Sequence, residues 1–391
     1  MFIMKNTTNY SSSSFADTKP HYLLLDALRG VVALMVVWYH FFEGFAFAQG
    51  SAIDTFNHGH LGVDFFFMLS GFVISYAYDD RWKASAENRL TLGGFFKRRL
   101  IRLHPMLVMG AVIGCISFLV QGSVKWDGSP TPLFGVLMAL VLSVLFVPAY
   151  AGAPYEVRGN GEMFPLNGPS WSLFFEYIGN IVYALLIRRL SNRALAVWTG
   201  VTGLLWGWFV IADLSGYDMI GVGWAMDAVN LCGGFLRMMF PFSIGMLMAR
   251  NFKPVKVKGV LGIAALVLFG LFSVPYLPTP AVLSGISLNG LYELLCVLLV
   301  FPVLVWCAAS ERPKGAVTTK ISRFLGDISY PLYIVHYPVM YLFYAWLIKN
   351  EYYSLSQTWP VVMLVFAFNI LLAYVCLKGY DEPVRRWLSK K

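Results

Sequence analysis

Asp26-Ala27-Leu28-Arg29-Gly30 opens an apolar run that His40-Phe41-Phe42-Glu43 closes, and the run is long enough to cross a bilayer. Arg29 and His40 stand eleven residues apart. At about 100° per residue a helix returns over that distance to within about 20° of its starting direction. The axial separation is about 16 Å. One helix face therefore displays a guanidinium and, roughly half a membrane away, an imidazole. Charged groups in a membrane helix cost about 3 kcal/mol each on insertion scales, so a partner or a function must offset them. The plain alternative has Arg29 reaching to lipid head groups while His40 bonds a neighbouring helix.

The rest of the chain agrees with a membrane setting. Its 391 residues are 58% hydrophobic and 13% charged, with a mean hydropathy of +0.63. A soluble domain is nearer half apolar and about a quarter charged. The fold class expected is all-α, a polytopic transmembrane helical bundle. The net charge of +9 is accounted for by cationic loops on one side of the membrane. No basic run interleaved with aromatics lies in a polar domain, so no nucleic-acid partner is expected. Cys115, Cys232, Cys296, Cys307 and Cys376 all fall in apolar segments without C-x-x-C spacing. They read as small buried hydrophobes, with neither a disulfide nor a metal site implied. The first twenty residues are polar, so no cleavable signal peptide of the usual form is expected and the Arg29–His40 helix serves as its own membrane signal. The glycosylation patterns at Asn6 and Asn9 are discounted as cytoplasmic.

Eleven apolar segments have spanning length: about 27–47, 61–78, 103–121, 132–149, 170–187, 194–212, 234–249, 258–275, 290–309, 324–347 and 359–378. Basic residues cluster from Arg81 to Arg102, at Arg188, Arg189 and Arg193, from Arg250 to Lys258, from Arg312 to Arg323, and from Lys378 to Lys391. With these inside, the loops on both sides of 132–149 fall outside, and one crossing cannot join them. The simplest repair lets 132–149 enter and return, or lie in the outer interface, as Pro130, Pro132 and Pro148 suit. About ten crossings result, with both termini cytoplasmic. Eleven crossings with one misread charge bias is the alternative. The expected domains are a polar cytoplasmic tail (1–22), a transmembrane domain (23–387) and a short cytoplasmic tail (388–391).

Several constellations carry chemistry. Phe95-Phe96-Lys97-Arg98-Arg99-Leu100-Ile101-Arg102-Leu103-His104-Pro105 is a cationic entry to the third segment. Arg99 and Arg102 share a helix face and suit bidentate contacts to phosphate, although the run also serves as a topology signal. In the fifth segment, Pro169-Ser170-Trp171-Ser172 starts a helix with Ser170 as a cap. Glu176 then lies about 9 Å in from the surface, close to the depth of His40. A carboxylate paired with an imidazole makes a general base; a structural hydrogen bond is the alternative. The second segment places His60 and Asp64 at its outer end and Ser70-Gly71 near its middle, where small residues admit a neighbour or a slender ligand. His336, with Tyr333 one turn before it, reads first as a hydrogen-bonded interhelical histidine.

Taken in order, L-D-A-L-R-G with a histidine eleven after the arginine, G-V-D-F-F-F-M-L-S-G-F, F-K-R-R-L-I-R-L-H-P, P-S-W-S-L-F-F-E, G-D-I-S-Y-P-L-Y-I-V-H and the closing Asp381-Glu382-Pro383 resemble the membrane acyltransferase-3 family over about Leu25 to Trp387. The resemblance implies a ten-helix protein of a bacterial inner membrane that takes acyl-CoA from the cytoplasm and modifies extracytoplasmic glycans. It matches Arg29 and His40 to the basic pair of the first helix, Arg99 and Arg102 to an R-x-x-R pair, and Glu176 to the acid after W-S-L. It matches Asp64, Ser70 and Gly71 to the second block and His336 to the late histidine. The soluble hydrolase-like domain that some members append is not expected here.

The expected activity is transfer of an acyl group, acetyl above all, from acyl-CoA to a carbohydrate hydroxyl, with His40 as base supported by Glu176 and with Arg29 in the catalytic set. Arg98, Arg99, Arg102, Ser70 and Gly71 are the expected acyl-CoA contacts. Asp64, His336, Tyr333, Trp171 and Ser172 are substrate or structural residues. Direct attack by the hydroxyl is expected ahead of an acyl-His40 intermediate. Acyl-CoA is a substrate, and no bound cofactor is expected. The alternative function is a transporter or a lipid or sugar flippase using the same charges as a pathway.

Overall fold

The computed structural model describes residues 22–50, 56–85, 89–277 and 285–390. The expected N-terminal tail, apart from Tyr22, lies outside these residues, as do Asn6, Asn9 and Lys391. The described chain is helical, in thirteen α-helices. They are α1 (Leu23–Ala48), α2 (Gly62–Trp82), α3 (Leu92–Val120), α4 (Leu133–Val144), α5 (Ser170–Leu185), α6 (Asn192–Ile211), α7 (Ala228–Arg250), α8 (Val260–Phe272), α9 (Leu288–Leu295), α10 (Phe301–Ser310), α11 (Ala316–Asn350), α12 (Leu355–Cys376) and α13 (Glu382–Ser389). π-helical turns, Cys296–Val300 and Leu377–Asp381, join α9 to α10 and α12 to α13. Polar residues start the helices where the apolar pattern begins. Thr91, Ser191, Asp227 and Ser287 each accept an N–H of the first turn of α3, α6, α7 and α9. Ser170 is not a cap: Pro169 precedes the helix and Ser170 is its first residue.

Nine helical stretches among the described residues are long and apolar enough to cross a membrane. The contacts also give their direction. α1 and α11 lie side by side and parallel, since Gly30 abuts Leu325, His40 abuts His336 and Gly44 abuts Tyr344. A β-carbon at Gly30 would overlap the Leu325 backbone, so glycine sets that approach. α2 and α7 meet as closely, because a β-carbon at Gly71 would overlap the Phe242 carbonyl. Gly71 thus admits a neighbouring helix; it lines neither of the cavities described below.

Let the end where α1 begins be proximal and the end where it finishes distal. α8 has only 13 residues, short of the full span expected for 258–275. Yet Gly259 and Val260 donate to the Glu311 carboxylate (2.9 and 2.7 Å) beside the proximal end of α10, and Pro275 pairs with Asn57 at the distal end. α8 and the non-helical residues that flank it therefore connect the two ends of the bundle, and ten passages result among the described residues. The described chain begins and ends at the same, proximal end. α4 does not cross. Its segment leaves the distal end at Thr131, whose N–H donates to Ser123 (2.8 Å), and is back there where Arg158 donates to Gln121 (2.9 Å). The enter-and-return form expected for 132–149 is the one observed.

Lipid-type side chains are exposed on α6 and α12, such as Leu204 and Leu364, whereas α1 and the part of α11 from Ile328 to Leu347 are mostly buried. The five cysteines are free; Cys115, Cys296 and Cys376 are buried, but Cys232 is exposed and Cys307 half-buried, against the expectation that all five are core residues.

Candidate active site

Two of the cavities among the described residues gather most of the expected site residues. The proximal one, of about 90 Å³, is lined by Arg29 from α1, Ser70 from α2, Arg99 and Arg102 from α3, Glu176 from α5 and Tyr330 from α11, among others. Arg99 is buried and donates to Glu176 Oε1 (2.7 Å), which also accepts from Ser70 Oγ (2.8 Å). Arg99 Nε has no hydrogen-bond partner, and Arg29 pairs with Asp26 (3.2 Å). Arg102 is exposed. Three guanidiniums thus converge with a single carboxylate, Glu176, inside the cavity wall. Positive charge in excess of its neutralising acids is what an anionic ligand requires. Arg98 does not line this cavity.

The distal cavity, of about 350 Å³, is lined by His40, Glu43, Glu162, Trp171, Arg237 and several tyrosines. His40 is 9% exposed, and its Nδ1 lies 2.6 Å from Glu43 Oε2. Glu43 also accepts from Tyr344 (2.8 Å) and Tyr337 (3.2 Å). A neutral His40 that donates Nδ1–H to this carboxylate leaves Nε2 as its acceptor nitrogen. The dyad is His40–Glu43 within one helix, three residues apart. The expected pairing of His40 with Glu176 is not formed, because Glu176 belongs to the arginine cavity. The depth count failed at the start of α5. Asn167 and Gly168 are buried and bonded to α11, through Ile334 O (2.9 Å) and Tyr341 Oη (3.1 Å). The helix therefore begins inside the bundle rather than at its surface, and every residue of α5 sits deeper than a count from the surface gives.

His336 is buried, as expected, but makes no interhelical hydrogen bond. Its Nδ1 lies 3.0 Å from Leu332 O in its own helix, and its ring stands 5.1 Å from that of His40. Tyr333 Oη and Ser172 Oγ are 2.7 Å apart. Asp64 pairs with Arg237 of α7 (2.8 Å), and both are buried. Arg237 also lies over the Trp171 ring, 5.1 Å from its centroid.

Several groups here have no place in the sequence expectations. Arg237 and Glu293 are ionisable residues within apolar segments, a signal that marks them as functional or paired. Glu293 accepts from His58 (2.7 Å), lies 2.9 Å from His60 and takes the Ile220 N–H (2.6 Å). Glu43 was visible as the i+3 neighbour of His40. Arg158 and Glu162 sit in the 145–169 connection, where no periodicity points to them. Arg158 is buried, sandwiched by Tyr341, Phe118 and Trp126, and donates to Pro165 O (2.7 Å). Tyr341 donates to Glu162. Burial pushes the Glu162 carboxyl up to about 7, against that hydrogen bond and the Arg158 charge.

The family described as "Acyltransferase domain" matches residues 22–378. The chain is 36% identical to Protein 2 in picA locus of Rhizobium radiobacter over 172 residues, which cover 42% of this chain and 81% of that protein. It is 25% identical to peptidoglycan O-acetyltransferase OatA of Listeria monocytogenes over 98% of its own length, and spans 58% of that relative. It is 27% identical to the exopolysaccharide production protein ExoZ of Rhizobium meliloti, over 72% of this chain and 76% of that one. No solved structure matches.

Proposed function

The chain belongs to this acyltransferase family of membrane enzymes, and on that premise we propose that it moves an acyl group from cytoplasmic acyl-CoA to a hydroxyl of an extracytoplasmic carbohydrate, acetyl being the favoured group. One observation carries the reading: a cationic cavity and a histidine–glutamate cavity share the wall residues Val63 and Tyr333. The names of the relatives support the acyl group and acceptor class, one being a peptidoglycan O-acetyltransferase. Orientation follows from charge. The basic clusters lie toward the proximal end, which the positive-inside rule assigns to the cytoplasm, together with both termini. The membrane is then a bacterial cytoplasmic membrane.

Arg99, Arg102 and Arg29 receive the donor's phosphates, with Glu176 and Ser70 fixing Arg99 in place. The donor's slender arm, roughly 15–20 Å at backbone-like spacing, bridges to the level of His40. The acceptor enters the distal cavity among tyrosines and tryptophans. His40 Nε2 takes the hydroxyl proton while Glu43 stabilises the imidazolium. The hydroxyl oxygen bonds to the thioester carbonyl carbon, the carbon–sulfur bond breaks, and the departing thiolate takes the proton from His40. Ester and free CoA are the products, and the base is regenerated.

The test uses the purified full chain in lipid nanodiscs with isotopically labelled acetyl-CoA and a panel of glycosides. Labelled ester together with stoichiometric free CoA is expected. Glycoside movement across proteoliposomes without CoA release would replace the reading by transport.

A further inference from the structure

Val63 and Tyr333 line both cavities, so the two compartments meet at these side chains. The Tyr333 phenol is held in place. Ser172 Oγ lies 2.9 Å from Pro169 O and 2.7 Å from the Tyr333 hydroxyl, which itself reaches Pro169 O at 3.5 Å, so the three oxygens form one hydrogen-bonded cluster. Phe66 packs edge-on against the Tyr333 ring at 5.4 Å. One turn further along α11, His336 lies 6.0 Å from that ring and 5.1 Å from His40. The arginine side of the partition is apolar, with Phe66, Phe67 and Leu173 in its lining.

On the function proposed above, the thioester arrives from the arginine cavity and must be attacked in the histidine cavity. Its acyl end therefore passes Val63 and Tyr333. We propose that Tyr333, latched to Ser172 and backed by Val63, is the residue that determines acyl specificity: its ring is the movable partition, and its bulk confines transfer to short acyl groups. The hydrogen bond sets when the partition is shut, and the ring volume sets what fits once it swings aside. Loss of the Tyr333 hydroxyl leaves Ser172 satisfied by Pro169 O, so the latch can be removed without stranding a buried donor.

The experiment compares acetyl-, butyryl- and hexanoyl-CoA as donors to one glycoside, with the full chain in nanodiscs, and reads the ratio of kcat/KM for butyryl over acetyl. Tyr333→Ala is expected to raise that ratio about tenfold or more, and Val63→Ala about threefold, since one methylene in an apolar pocket is worth such factors. Tyr333→Phe keeps the bulk. Its ratio is expected to stay within about twofold of the parent, while acetyl-CoA hydrolysis without acceptor rises because the latch is gone. A residue that only supports the fold would lower all donors together. Unchanged ratios in Tyr333→Ala and Val63→Ala, with the parent active, overturn the proposal. If Tyr333→Ala does not accumulate, Val63→Ala decides. A parent that transfers no acyl group from any CoA donor fails the functional reading instead, so the two failures are distinguishable.

Discussion

The arginine cavity and the histidine cavity are built from different material. The first is walled by helix interiors, with Arg29, Ser70, Arg99, Arg102, Glu176 and Tyr330 projecting from five helices. The second takes much of its wall from connections: Phe56, Trp126, Asn160, Glu162, Met219 and Trp224 all lie between helices. Helix-borne groups hold a fixed geometry and suit a ligand that never changes, such as a CoA head group. Connections vary more readily on a constant scaffold, and suit acceptors that differ between relatives. The contrast predicts that substitutions in one cavity alter donor handling and those in the other alter acceptor chemistry.

The largest expected effect tests the histidine side. His40→Ala should lower acyl transfer about a thousandfold, within the usual range for loss of a general base, with acyl-CoA affinity by calorimetry held. Near-normal transfer would remove His40 from the chemistry. Next is the buried pair under that cavity: Asp64→Ala leaves the Arg237 charge unpaired and should cost about 3–5 kcal/mol of stability, read as a lower midpoint in thermal unfolding. A third substitution pair tests the arginine side. Arg99→Ala with Arg102→Ala should weaken acyl-CoA binding about 10- to 100-fold, as loss of charge-assisted hydrogen bonds does, and leave the acceptor KM alone. Unchanged donor affinity would reduce these arginines to a topology signal. Glu43→Gln should lower kcat about tenfold or more by removing the charge that stabilises the imidazolium, whereas Glu176→Gln should act on donor affinity. If Glu176→Gln lowered kcat in the same way, the division between the cavities would fall.

The smallest effect is one of pH. The Glu162 carboxyl is pushed by burial from its ordinary 4.5 up to about 7 in the folded chain. The folded state therefore holds a proton that the unfolded state has lost, and stability falls as pH rises from about 4.5 through about 7. Between pH 5 and 8 the melting temperature of the parent should drop by several degrees relative to Glu162→Gln, on the order of what 2–3 kcal/mol produces. Parallel curves would show that Glu162 does not titrate there.

Arg29, Ser70, Arg99, Arg102 and Glu176 are gathered in one cavity, and each was nominated by a polar group at a defined step along an apolar helix. His40 was legible for the same reason, but its partner was not assigned, because depth was counted from the surface and α5 begins buried. Glu43 stands three residues from His40, a spacing that by itself places the two on one helix face. Arg237, Glu293, Arg158 and Glu162 depend on which helices and connections meet, and one chain without contacts does not supply that. The bundle itself was readable from hydropathy and charge, including the return of 132–149. The apolar pattern of 258–275 marks a passage and not the length of its helix, because hydropathy does not distinguish helix from the non-helical residues at its ends.

That short helix has a consequence for the surrounding lipid. The 13 residues of α8 rise about 20 Å, while a hydrocarbon core is about 30 Å thick. Lipid against α8 either thins to meet it, at a modest cost per ångström of mismatch, or meets non-helical chain at its ends. A bilayer that thins there would be pinched on one flank of the molecule, where the chain leaving α8 pairs with Asn57, close in sequence to His60 of the distal cavity. Water and a headgroup-borne acceptor would then reach closer to His40 on that flank than the full bilayer thickness allows, and the lipid would become part of the approach to the site.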